Sequence, residues 1–179
     1  MRILNLYFSS TGNTERVART IEKVGCAQGH EVETVRISGN METDPDVTSY
    51  DFVFAGSGVY DWLPGKPLME LFSKLIGRYR DQGIIQAAAP RRPGNKVVVY
   101  CTFGGCHTGV NEALPALMFM GQLFDHLGFT ILGEWTIVGE YNGRLKELSL
   151  KGRLGNIEGH PNEEDLCRVA EQVQGALLA

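Results

Sequence analysis

Ile3-Leu4-Asn5-Leu6-Tyr7-Phe8 runs directly into Ser9-Ser10-Thr11-Gly12-Asn13-Thr14, and Glu15-Arg16-Val17-Ala18-Arg19-Thr20-Ile21 follows. The first six residues are mostly apolar, which predicts a short buried strand. Past the middle six, Val17, Ala18, Ile21 and Val24 recur at helical spacing, with Arg16, Arg19, Glu22 and Lys23 on the opposite face. Strand, loop and helix therefore succeed one another without a spacer. The loop offers hydroxyls at Ser9, Ser10, Thr11 and Thr14, and Gly12 lets the backbone approach an anion closely. The free N–H groups and the positive dipole end of the helix face the same point. No lysine or arginine lies in the loop, so dipoles and hydroxyls would neutralise the anion, which suits a terminal monophosphate. A Ser/Thr-rich turn that merely caps the helix is the plainer alternative. The strand–loop–helix context favours the anion site.

Working outward, the helix can end at Gly25 or Gly29, and 31–37 alternates like a half-exposed edge strand. A polar connector at 38–50 leaves room for a second short helix. Buried strands are predicted at 52–57, at 96–102 around Val97-Val98-Val99, and at 130–138. Between them, Pro67 opens a helix whose stripe is Leu68, Leu71, Phe72, Leu75 and Ile76. A second helix spans 112–127, where Pro115 is tolerable only near the first turn. Within it, Met118-Phe119-Met120 reads as core rather than as a dimer patch, although a homodimer stays open. Residues 139–160 are Gly-rich and irregular. Asn162 starts the last helix, with Asp165 completing a weaker form of capping box. Continuous apolar strands alternating with amphipathic helices imply an α/β fold with a parallel sheet covered on both faces.

The chain has 179 residues, 43% hydrophobic and 21% charged, which suits one domain over 1–179. A net charge of −4 argues against a nucleic-acid surface. The apolar start is too short for a secretory signal, and no run approaches the length of a membrane span. A cytoplasmic protein without membrane contact is the expectation. Cys26, Cys101, Cys106 and Cys167 form no close CxxC pair and read as reduced thiols. No metal site is expected.

Ligands of open parallel sheets bind beyond the carboxyl ends of the strands. Two further loops lie there. In Gly56-Ser57-Gly58-Val59-Tyr60-Asp61-Trp62 the glycines permit close backbone contact, and Tyr60 and Trp62 can stack on a planar ring. In Thr102-Phe103-Gly104-Gly105-Cys106-His107 the phenyl ring offers a second aromatic wall, and the Gly104 and Gly105 amides suit the polar edge of such a ring. The basic cluster Arg78, Arg80, Arg91, Arg92 and Lys96 precedes a strand and so falls at the opposite end of the sheet.

These motifs resemble the flavodoxin-like superfamily. Ser9 to Thr14 matches its [ST]-x-T-G-x-T phosphate loop, and the other two loops match its isoalloxazine-binding loops in position. The resemblance implies a doubly wound three-layer sandwich with a five-stranded parallel sheet in the order 2-1-3-4-5; flavodoxins themselves exemplify the strand-end rule. It implies FMN as cofactor. Ser9, Ser10, Thr11, Gly12, Asn13 and Thr14 would hold its phosphate. Gly58, Val59, Tyr60, Asp61 and Trp62 would meet one face, and Thr102, Phe103, Gly104, Gly105, Cys106 and His107 the other face and the pyrimidine edge. His107 is the candidate proton donor to reduced flavin or substrate.

Three features depart from small electron shuttles: the mild acidity, the lack of a glycine in Tyr60-Asp61-Trp62, and the Gly-Gly-Cys-His third loop, which looks more like that of flavodoxin-fold reductases. Other proteins on this sheet fit less well. No cysteine has the Cys-x5-Arg spacing of a low-molecular-weight phosphatase, and no GxxxxGK or complete GxGxxG occurs. The expected function is an electron-transfer flavodoxin serving a redox partner protein or small-molecule acceptor. The alternatives are an NAD(P)H- or quinone-linked FMN reductase and a flavodoxin-fold module without flavin. Residues 139–160 leave the ligand end of the last strand and either border the flavin or fold down as a surface excursion held by Leu148, Leu150, Leu154 and Ile157.

Overall fold

The strands are β1 (Arg2–Phe8), β2 (Glu31–Arg36), β3 (Phe52–Tyr60), β4 (Leu63–Pro64), β5 (Lys96–Phe103) and β6 (Thr130–Val138) in the computed structural model, which describes residues 1–39 and 43–179. Five of them form a parallel sheet in the order β2-β1-β3-β5-β6. That is the expected five-stranded topology. β4 is the difference: it pairs antiparallel with the end of β3 through Tyr60↔Leu63 and Val59↔Pro64. The chain reverses there in two residues, Asp61 (φ 47°) and Trp62 (φ 68°), both left-handed as a tight hairpin requires. Pro64 has no N–H with which to extend the ladder.

The helices are α1 (Asn13–Ala27), α2 (Lys66–Asp81), α3 (Leu114–His126), α4 (Leu148–Lys151) and α5 (Glu163–Leu178). α1 and α5 bury one sheet face, carrying Ile3, Tyr7, Phe52, Phe54, Val98 and Tyr100. α2 and α3 bury the other, carrying Leu4, Leu6, Val53, Ala55, Val97 and Val99. Strand residues alternate between the two cores because side chains alternate across a strand. Asn5 sits within the first face fully buried, and both ends of its amide are satisfied: Nδ2 donates to the Ala18 carbonyl (2.8 Å) and Oδ1 accepts from Tyr100 Oη (3.3 Å). Gly56 is required beneath that tyrosine, since a Cβ there would lie 2.0 Å from Tyr100 Cζ.

Several boundaries sharpen the sequence reading. Gly29 (φ 79°) follows the end of α1, whereas Gly25 stays inside the helix, where a Cβ would lie 2.7 Å from Val32 Cγ2. The predicted helix at 112–127 divides into a 3₁₀ turn at Gly109–Glu112 and α3, with Pro115 in its first turn. Met118-Phe119-Met120 is not all core: Met120 is buried, but Met118 is 64% exposed and Phe119 37%. Three consecutive helical residues fan over too wide an arc to share one face. In the connector 38–50 a 3₁₀ turn forms at Val47–Ser49, and 40–42 lie outside the described residues. Arg78 donates to the Asp44 and Pro45 carbonyls, and Arg91 faces Asp125 at 3.4 Å, so parts of the basic cluster are engaged in structural contacts.

Asn162 and Asp165 form the capping box of α5 in both directions, at 3.0 and 2.8 Å. His160 joins it, its Nδ1 lying 2.5 Å from Asp165 Oδ2. Burial pushes the Asp165 carboxyl up, but the Asn162 N–H, the Arg168 guanidinium and His160 outweigh it and hold it below its ordinary value. Among the described residues no helix is long and apolar enough to cross a membrane.

Candidate functional site

Parallel register brings four strand ends together: Phe8 lies beside Ser57, Gly58 beside Thr102, and Phe103 beside Val138. The segments that follow these strands enclose one cavity of about 500 Å³. Thr11 and Asn13 reach it from the first loop, and Gly58 through Trp62 from the second. Thr102 through His107 reach it from the third, and Glu140 and Tyr141 come from the segment after β6.

The first loop is held by one internal hydrogen bond and by contacts with the neighbouring strand ends. Ser9 is buried, and its Oγ accepts the Gly12 N–H at 3.0 Å. Thr14 is buried and shares a hydrogen bond with Thr102 at 2.8 Å. Gly12 takes the left-handed N-cap position (φ 94°) and brings no side-chain oxygen to the start of α1. The first N–H groups of that helix are therefore left to an external acceptor, and Thr11 is exposed beside them. This donor set fits a monophosphate. Ser10 behaves differently: its N–H and its hydroxyl both meet Tyr60 Oη, at 3.2 and 2.7 Å. The side-chain amide of Asn13 turns away and donates to the Glu140 carbonyl at 2.8 Å.

The aromatic residues separate into different environments. Tyr60 lies across Gly58, where a Cβ would meet its hydroxyl at 2.8 Å, and stands edge-on to Phe8 with centroids 5.8 Å apart. Trp62, on the hairpin tip, is 62% exposed at the cavity margin. Phe103 is only 6% exposed and belongs to the core under α2 and α3. Val97, Val99, Cys101 and Phe103 share one face of β5, so the period-two rule already placed this ring inside. The expected second wall is therefore a core residue that borders the cavity with little of its surface.

In the third loop most amides have protein acceptors. His107 N–H and Thr108 N–H both donate to Glu112 Oε1 at 2.7 Å, and Cys106 N–H donates to Tyr141 Oη at 3.3 Å. Among the described residues, the Gly104 and Gly105 amides are left for a ligand. His107 is exposed at the cavity margin. Cys106 is half-buried, while burial pushes the Cys101 thiol up to about 12 and leaves it inert. Burial also raises the Tyr141 phenol, with the Cys106 thiol adding to the effect, so it stays protonated. Glu112 and Tyr141 were not singled out in the sequence. Their signals were slight: a lone carboxylate just past a glycine loop, and an aromatic two residues beyond the Gly139 that follows β6.

Solved structures with the same arrangement settle the fold. Oxidised flavodoxin 1 from Bacillus cereus superposes with a TM-score of 0.69 at 14% identity, over 99% of this chain and 98% of that one. The fold is that of the flavodoxins. A flavodoxin from Streptococcus pneumonia TIGR4 matches at 0.66 and 16% identity over 99% of each chain. Two-electron reduced Megasphaera elsdenii flavodoxin matches at 0.55 and 22% identity, over 95% of this chain and 98% of that one. No family model matches the sequence. On this flavodoxin fold the cavity sits at the strand ends where β1 and β3 diverge in direction of winding, the position the strand-end rule requires.

Proposed function

We propose that this protein binds FMN and works as an electron carrier of the flavodoxin type, exchanging electrons with a partner protein. One observation carries the reading: a single cavity joins the uncapped N-terminus of α1 to an exposed tryptophan and to the Gly104 and Gly105 amides. A phosphate, an aromatic ring and a polar ring edge each have a matching surface there. FMN, when bound, supplies one- or two-electron transfer. The chain's part is to hold the phosphate with α1 N–H groups and Thr11, to cover the ring with Trp62, and to meet its polar edge with Gly104 and Gly105. His107 stands exposed at the margin as the candidate proton donor.

A carrier also needs a docking rim. Trp62, Leu63, Leu114 and Met118 are all exposed, and β4 packs beside α3, so apolar surface borders the mouth. The test is addition of FMN to purified protein, followed by visible spectroscopy and anaerobic stepwise reduction. Bound yellow flavin that accepts single electrons is the expected result. Rapid NAD(P)H oxidation with a quinone would favour a reductase instead, and absence of FMN binding would overturn the proposal.

A further inference from the structure

The segment 139–160 is fastened to both ends of the cavity. At the first loop, Asn13 Nδ2 donates to the Glu140 carbonyl at 2.8 Å, and Gly139 is so close that a Cβ there would lie 2.8 Å from the same nitrogen. Glu140 is held in turn: its N–H donates to the His160 carbonyl and its Oε2 accepts the Gly159 N–H, each at 2.8 Å. At the third loop, Tyr141 Oη accepts the Cys106 N–H at 3.3 Å, and the Arg153 N–H donates to the Cys106 carbonyl at 2.9 Å. Between these attachments the Tyr141 ring lies against Gly104, where a Cβ would fall 2.1 Å from its Cε2. The Tyr141 N–H donates to the fully buried Ser149 Oγ at 2.9 Å. Backbone and hydroxyl are both pinned, so the ring is pre-organised at the cavity wall.

We propose that Tyr141 supplies the second aromatic wall for the ligand's planar ring, and that Asn13 is the positioning residue that holds it there. This deepens the FMN reading and rests on it. Phe103 is buried in the core and Tyr60 is tied to Ser10, so two of the aromatics near the cavity are already committed. Trp62 and Tyr141 remain. They follow β3 and β6, the two neighbours of β5, and therefore flank the third loop from opposite sides. Asn13 lies in the phosphate loop, yet its side chain serves the residue before Tyr141. Its amide thus acts on the ring end of the site, while its backbone N–H stays with the phosphate end.

Riboflavin separates the two ends, because it carries the ring of FMN without the phosphate. Affinities for both are measured by fluorescence titration of the full chain. Thr11→Ala, the phosphate control, should weaken FMN and spare riboflavin. Asn13→Ala and Tyr141→Leu should each weaken both ligands about tenfold, leaving their ratio unchanged. Tyr141→Phe, which keeps the ring, should stay within about threefold of wild type. The double variant should bind no worse than Tyr141→Leu alone, since the two act as one unit. Bound flavin should be dark in wild type and Tyr141→Phe, and should regain a measurable part of its fluorescence in Tyr141→Leu, where Trp62 still covers the other face, a readout that lost stability alone would not produce. If Tyr141→Leu does not fold, Asn13→Ala carries the same comparison with the ring still present. A fall in the FMN-to-riboflavin ratio for Asn13→Ala, or unchanged affinity and quenching in Tyr141→Leu, overturns the inference while FMN binding stands. Wild-type protein that binds neither flavin removes the FMN reading and the inference together.

Discussion

The loop at 9–14 and the segment at 139–160 border the same cavity but are built in opposite ways. The loop takes its shape locally: Ser9 Oγ accepts an N–H from Gly12, three residues on, and α1 begins at once, while the distant contacts of Ser10 with Tyr60 and of Thr14 with Thr102 tie the formed loop to its neighbours. The segment closes on distant partners. Its contact with Asn13 spans 127 positions, and that of Tyr141 with Cys106 spans 35. Such a cavity has one end that local sequence largely writes and another that long-range contacts assemble. The two ends should therefore respond differently to mutation.

The largest difference is expected from Ser149→Ala. It leaves the Tyr141 N–H without its buried acceptor, and should cost about 1–3 kcal/mol in urea unfolding. Amide exchange should quicken across 139–157 while exchange in the 9–14 loop stays at its wild-type rate; equal quickening in both would break the contrast. Asp165→Asn comes next, at about 1–2 kcal/mol near pH 7, because it weakens the α5 cap and the His160 contact that anchors the end of the segment. Here the sign with pH is definite. The folded carboxyl titrates below its ordinary 3.8, so its stabilisation is full above that value and is lost as pH falls through the folded value. The gap between wild type and variant should narrow in acid; a constant gap from neutral pH into strong acid would show that the charge is not involved.

Gly12→Ala tests the local end. No atom crowds a Cβ there, so the cost is backbone strain alone, about 1 kcal/mol, with exchange in 139–157 unaltered. The smallest effect has the opposite sign. Trp62→Gly relieves a bulky residue at φ 68° and should raise the unfolding free energy by about 0.5 kcal/mol, once the added chain entropy of glycine is subtracted. The same variant should bind FMN more weakly. Tighter binding would separate Trp62 from the ring and sharpen the case for the opposite wall.

Much of the architecture could be read without coordinates. Apolar runs marked β1, β3, β5 and β6, alternation marked β2, and helical patterns marked α1, α2, α3 and α5. Pro67, Pro115 and the Asn162–Asp165 pair marked helix starts. All of these are short-range: they depend on spacing, caps and alternation within about ten residues. Alternation along β5 even held the placement of Phe103, although its nearness to the strand end suggested a ligand role instead.

Local sequence set the sheet, its covered faces and an uncapped loop at the start of α1, because backbone hydrogen bonding and periodic burial act locally. Tertiary structure decided which side chains serve that loop and which line the rest of the cavity. It sent the Asn13 amide to Glu140, tied Tyr60 to Ser10 and set Tyr141 against Gly104. Each of those choices joins residues that are remote in the chain. Their energy depends on where the strand ends converge, a quantity that no local pattern of residues carries.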